Sequence, residues 1–165
     1  MVKQIIIIRK DLLKIPDCEL NILPKDRYEQ YMKELNEIGK MGPGKLAAQV
    51  AHASMSPILK KMRGCVDYKD YIAPNKDYKL SLDMKKSEDL TDWLEKAFTK
   101  IILYVKSEEK LLSIHKQLNE LNIINELIED IGKTEFKKPT ITALGIIPTR
   151  DERVNKITKR LRLLN

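Results

Sequence analysis

The sequence predicts an α/β fold: a small three-layer α/β/α domain built on a four-stranded mixed β-sheet. Three observations predict it. Short β-branched runs bounded by charged or turn residues recur at 2–9, 100–106, 125–131 and 140–147, the pattern of buried strands. A helical period fills the gap between the second and third runs, with Leu111, Leu112, Leu118 and Leu121 on one side of 108–121. The length, 165 residues, suits one domain that buries a core without disulfide or metal staples.

The first strand holds four consecutive isoleucines, Ile5, Ile6, Ile7 and Ile8, too short a run for a signal-peptide core or a bilayer span. Residues 13–40 read as a self-contained insertion. In it Asp26 and Glu29 form a cap-like pair, and Tyr28, Tyr31, Met32, Leu35 and Ile38 line one helical face. A long helix begins at about Lys45 and meets Pro57, which has no N–H for the preceding turn and predicts an interruption or kink. Residues 64–92 read as a second insertion. Alternation at Tyr78, Leu80, Leu82 and Met84 suggests an added strand, and Ser87 caps a helix holding Leu90, Trp93 and Leu94. The strands at 100–106 and 125–131, with the helix between them, make a βαβ unit with parallel pairing. A last helix, 151–163, turns Val154, Ile157 and Leu161 inward and carries Arg150, Arg153, Lys156 and Arg160 as an opposite stripe.

Composition narrows the function classes. Hydrophobic residues at 42% and charged residues at 33% are ordinary for a soluble globular protein, and the expected setting is cytoplasmic, with no membrane partner. A net charge of +7 favours a polyanionic partner. Aromatic residues at 5% argue against a base-stacking single-strand channel. Cys18 and Cys65 stand far apart with no CxxC, which fits a reducing compartment and speaks against a cysteine zinc site.

The segment 39–54, GKMGPGKLAAQVAHAS, is the chemically suggestive one. As a nucleotide P-loop, Gly39, Gly44 and Lys45 fit G-x-x-x-x-G-K. Leu46 then stands where a hydroxyl should hold magnesium, and the preceding segment is helical where a strand is required. As a dinucleotide fingerprint, Gly42, Gly44 and Ala47 fit G-x-G-x-x-A, but the same strand is missing and Pro43 stiffens the turn. In the third reading Lys45, Gln49 and His52, spaced i, i+4, i+7, share one helix face. The glycine turn then opens a helix whose N–H groups and dipole lie beside an ammonium, which makes an anion site with an amide and an imidazole close by. A solvated polar face fits those three residues equally well. No G-x-S-x-G, H-E-x-x-H or Cys–His arrangement offers a rival site.

Resemblance across the chain favours the third reading. Arg9, Asp11 and Leu12, then MGPGKLAAQVAHA, Trp93 seven residues before KIILYVK, ELIEDIGKTE and TITALGIIP together resemble the second, archaeal/eukaryotic-type family of peptidyl-tRNA hydrolases. The resemblance implies hydrolysis of the ester between a peptide and the 3′-terminal ribose of tRNA, with no metal or other cofactor, by a homodimer. It implies a catalytic set of Lys45, Gln49, His52, Asp130, Thr134 and Thr142, in which Asp130 and His52 share the handling of water. It also implies tRNA-binding roles for Lys40, Lys133, Arg150, Arg153, Lys156 and Arg160. The alternative is a non-hydrolytic tRNA- or RNA-binding module on the same scaffold.

Overall fold

The four isoleucines form the centre of the sheet. The computed structural model describes residues 1–63, 87–96 and 98–165. In β1 (Gln4–Arg9) every residue is buried. Side chains alternate across a strand, so Ile5 and Ile7 enter one core cluster while Ile6 and Ile8 enter another on the opposite face. A strand covered on both faces has no polar side, which is why the run is uninterrupted isoleucine. β1 pairs in parallel with β2 (Lys100–Val105) and antiparallel with β4 (Thr140–Ile146), which in turn pairs antiparallel with β3 (Asn125–Asp130).

Among the described residues the sheet has five strands where the sequence predicts four, in the order β3-β4-β1-β2-β5. The fifth, β5 (Arg162–Leu163), is antiparallel to β2, and Leu164 N–H also donates to Ile102 O at 3.0 Å. It comes out of the expected C-terminal helix, which stops early as α6 (Glu152–Thr158). Without these residues β2 would be an edge strand with unpaired backbone groups. Pairing with them satisfies those groups. The expected adjacency of the strands at 100–106 and 125–131 is likewise corrected. Because β4 pairs with both β3 and β1, two strands separate β2 from β3.

Helices cover both faces. On the Ile5/Ile7 side, α5 (Glu108–Glu120) contributes Leu111, Ile114 and Leu118, and α6 contributes Val154. Leu112, expected on the inner side, faces outward. On the Ile6/Ile8 side lies α3 (Pro43–Arg63), with Ala53 fully buried and Leu46 and Val50 packed beside it. This helix runs through Pro57 without interruption. A Cβ at Gly145 of β4 would lie 1.8 Å from the Ala53 carbonyl oxygen, and Gln4 donates to the neighbouring Ser54 O at 2.7 Å. The helix is therefore seated on the sheet by its own backbone, and only glycine fits beneath it. A third cluster joins Val2 and Ile58 to Leu90 and Trp93 of α4 (Glu88–Glu95). Ser87 is at the N-cap of α4 as expected, but its side chain makes no cap hydrogen bond.

Residues 13–40 form an arm with two helices, α1 (Asp17–Leu20) and α2 (Lys25–Glu37). Pro24 occupies the N-cap of α2 and Asp26 lies within its first turn, so the Asp26/Glu29 pair is not the cap. Tyr31 is buried while Tyr28 is exposed. The arm's ends are joined: Met41 N–H donates to Leu12 O at 2.7 Å and Lys14 N–H to Met41 O at 3.0 Å. The strand expected around Tyr78, Leu80, Leu82 and Met84 falls outside the described residues.

Candidate active site

The loop after β3 is clamped to the turn before α3, and that clamp builds the site. Gly39 has φ +94°, and a Cβ there would lie 2.0 Å from Glu135 O, so the position requires glycine. Lys137 N–H donates to Ile38 O at 2.9 Å. The Glu135 carboxylate accepts the Gly42 N–H at 2.6 Å and pairs with Lys14 at 3.0 Å. Burial pushes the Glu135 carboxyl up, but the Gly42 N–H and the Lys14 ammonium outweigh it and hold it below its ordinary range. Glu135 lies within the sequence motif ELIEDIGKTE yet was not expected in the site. Its signal was its place one residue after Thr134 in a loop that must approach the glycine turn.

On this frame Lys45, in the first turn of α3, reaches the end of β3. Its ammonium forms an ion pair with Asp130 Oδ2 and donates to Thr134 Oγ1 at 3.0 Å. Gln49, one turn on and 2% exposed, donates its amide to Asp130 Oδ2 at 3.2 Å. Its carbonyl accepts the fully buried Thr142 hydroxyl at 2.6 Å. Gly132, at φ +80°, turns the chain so that its N–H donates to Asp130 Oδ1 at 2.9 Å. Five of the six expected catalytic residues thus form one connected line: Thr134, Lys45, Asp130, Gln49, Thr142. Burial raises the Asp130 pKa, but the Lys45 ammonium, the Gly132 N–H and the Gln49 amide reverse this and hold it below the ordinary carboxylate value. His52 is exposed on the next turn of α3 and bonds to none of the five.

Arg9 braces the neighbouring strand end. Its guanidinium is buried, pairs with Asp11 at 2.7 Å and with Glu108, and donates to Ile141 O at 3.1 Å, next to Thr142.

The basic residues read from the sequence do not form one surface. Lys40 is 3% exposed, its ammonium bound to Glu34 and to Asp11 O at 2.6 Å. Such a buried group is not presented to a phosphate. Arg150 lies before the Asp151 N-cap of α6 and is tied to Asp89 and Asp92, and Arg153 is paired with Asp151 at 2.7 Å. Arg160 lies beyond the end of α6. The expected helical stripe is therefore broken, because the helix ends at Thr158 and two guanidiniums are held by neighbouring carboxylates. Lys133 and Lys156 are exposed.

Comparisons with known proteins identify the family. The model of the family described as Peptidyl-tRNA hydrolase PTH2 matches residues 2–164. A peptidyl-tRNA hydrolase of Methanococcus maripaludis (strain C6) is 34% identical over 83% of this chain and 99% of its own length. One from Saccharolobus solfataricus is 35% identical over 76% of this chain and 90% of its own. One from Sulfurisphaera tokodaii is 38% identical over 75% and 88%. With the match running nearly end to end, from residue 2 to residue 164, the chain belongs to the peptidyl-tRNA hydrolase PTH2 family.

Proposed function

We propose that this peptidyl-tRNA hydrolase cleaves its ester at the corner where the start of α3 meets the ends of β3 and β4. The observation that carries the reading is the position of Lys45. Its ammonium, in the first turn of α3, is shared by a carboxylate and a hydroxyl at a partly open surface, above a buried Gln49–Thr142 floor. The N–H groups of Gly44 and Lys45 meet no acceptor among the described residues, so the helix dipole and free donors add to the ammonium.

Ester hydrolysis needs an oriented water, a proton acceptor and stabilisation of the oxyanion. Lys45 faces the oxyanion or the adjacent phosphate. Asp130, held anionic, accepts a hydrogen bond from the attacking water. Tied by Lys45, Gly132 and Gln49, the Asp130 carboxylate suits orientation of the water, and the exposed His52 ring on the same helix face suits proton acceptance. Water adds to the carbonyl carbon, and collapse of the adduct breaks the ester C–O bond. The peptide leaves as a carboxylate and the ribose oxygen regains a proton. Thr134 holds the Lys45 ammonium, and Gln49 and Thr142 fix the Asp130 carboxylate from below. Lys133, exposed beside Thr134, takes a phosphate next to the terminal ribose.

The finer parts of the reading rest on the family and on the single continuous sheet. They are one domain over 1–165 with additions at 13–40 and 64–92, a cytoplasmic homodimer, and turnover that needs no metal. The test is release of tRNA from N-acetyl-aminoacyl-tRNA in chelating buffer by the wild type, Lys45→Ala, Asp130→Ala and His52→Ala. Turnover lost in the first two variants, with folding confirmed by circular dichroism, supports the site. Wild-type rates in both remove it, and tRNA binding without any turnover marks a binding module instead.

A further inference from the structure

A second feature lies at the same end of the sheet. A cleft of about 400 Å³ opens where β2 ends, between β5 and the start of α5. Lys106, Lys110, Arg160 and Arg162 line it, together with Tyr104, and no carboxylate among the described residues lines it. All four cations are exposed, and none forms an ion pair among the described residues. This differs from Arg150 and Arg153, whose charges are neutralised locally. Lys106 is shared with a neighbouring cleft of about 480 Å³ beneath the arm, which adds Lys10 and Arg27. The two carboxylates of that second cleft are already occupied, Asp11 by Arg9 and Glu34 by Lys40. Six cations without ion pairs among the described residues therefore line the two clefts, and the exposed Glu109 beside them bonds Ser107.

Their place relative to the catalytic corner follows from the register. Val105 is level with Arg9, and Arg9 bonds Ile141 beside Thr142, so Lys106 and Asp130 project from the same end of the sheet. The strand order puts three inter-strand steps between β2 and β3, roughly 14 Å at the usual strand spacing. That is a separation of a few nucleotides.

We propose that this groove binds the phosphodiester backbone of the tRNA body while the ester lies at Lys45 and Asp130. The proposal rests on the peptidyl-tRNA reading of the corner. A run of unpaired cations without hydrogen-bonding specificity suits backbone phosphates, which fix position without reading sequence. The contacts exist in ground state and transition state alike, so they act on KM and leave the chemical step alone.

The test is the fourfold variant Lys106→Ala/Lys110→Ala/Arg160→Ala/Arg162→Ala, with Lys106→Gln/Lys110→Gln as a milder second variant. Each is compared with the wild type on whole peptidyl-tRNA and on a short CCA-ended peptidyl fragment. Deacylated tRNA binding is measured in parallel across salt concentrations. The expected result is about a tenfold or greater rise in KM for the whole substrate. The log–log salt slope of tRNA binding should flatten by about 3 units, from the counterion-release rule for four phosphates. The wild-type preference for whole substrate over fragment should shrink by the same factor. An unchanged salt slope with an unchanged preference overturns the groove. The binding arm keeps the two readings apart: absence of wild-type turnover would defeat the hydrolytic corner, while the salt slope would still decide the groove.

Discussion

Two lysines five residues apart flank the glycine turn, each paired with a carboxylate, and they serve opposite ends. The Lys40 side chain is 4% exposed, locked between Glu34 and the Asp11 carbonyl, and it ties the arm to the body. The Lys45 side chain is 16% exposed, and its second partner is a hydroxyl on an open loop. The first ammonium borders the cleft beneath the arm, but it is buried and both of its contacts are already taken by protein groups. The second can trade its hydroxyl contact for a substrate oxygen at little cost. The pairing of a lysine with a carboxylate thus says little about function. What the ammonium can still reach decides it.

Alanine at each lysine separates the two pairs most directly. Lys45→Ala and Asp130→Ala are expected to lower turnover by about 10²-fold or more, the scale of a lost electrostatic or acid–base group. Gln49→Ala should lower it less, because Lys45 and Gly132 still hold Asp130 in place. These are checked by single-turnover rates on folded protein. Lys40→Ala should instead appear in stability. Loss of charged hydrogen bonds from a buried ammonium costs about 2 kcal/mol, a fall in Tm of roughly 4–8 °C for a chain this size, with turnover far less affected than in the Asp130 variant. Calorimetry beside the same rate assay would separate the two lysines. A Lys40 variant that keeps its Tm would end the distinction.

The two lysines also differ in pH dependence. Burial raises the Glu34 carboxyl, but the Lys40 ammonium and the Gln30 amide outweigh it and leave its pKa below the ordinary value of 4.5. A lowered folded-state pKa means that the pair stabilises fully above that value and stops doing so as pH falls through the folded one. The stability gap between wild type and Lys40→Ala is therefore expected to be widest near neutrality and to close as pH falls below the ordinary carboxylate range. Urea denaturation at several pH values would show it, and a gap that widened with acid would contradict the assignment. The smallest effect is expected at Glu135→Gln, which removes the ion pair with Lys14 but keeps an acceptor for the Gly42 N–H. Turnover should fall only a few-fold, since a neutral acceptor retains most of a hydrogen bond at a half-exposed position.

Much of this was legible in the sequence because it rests on local periodicity. The isoleucine run, the strands ending at Arg9 and Asp130, and the Lys45–Gln49 face follow from periods of 2 and 3.6, which neighbours in sequence fix. What could not be read depends on distant partners. The pattern of Val154, Ile157 and Leu161 is compatible with a longer helix, and only the open edge of β2 draws Arg162 and Leu163 out of it. The two strands of the βαβ unit run parallel as expected, but their direct pairing failed for a similar reason, since nothing within either strand reports that β4 pairs on both sides. Arg150 and Arg153 looked free because Asp89 lies 61 residues from Arg150 and because the Asp151 cap turns its carboxylate onto Arg153. The groove stayed hidden because its four cations come from two stretches that meet only when β5 docks.

The joined ends of the arm have a practical consequence. Because Leu12 and Met41 are already bonded to each other, the chain leaves and re-enters the body at one point, and whatever lies between hangs from it like a handle. For a flexible connection, doubling the length costs only about 0.6 kcal/mol in closure entropy. The tip near Ile22, 80% exposed, is therefore a natural port for a fluorophore, a tag or a tether. A probe placed there would ride above the cleft between the arm and β2, and report what enters it, without touching either the sheet or the Lys45 corner.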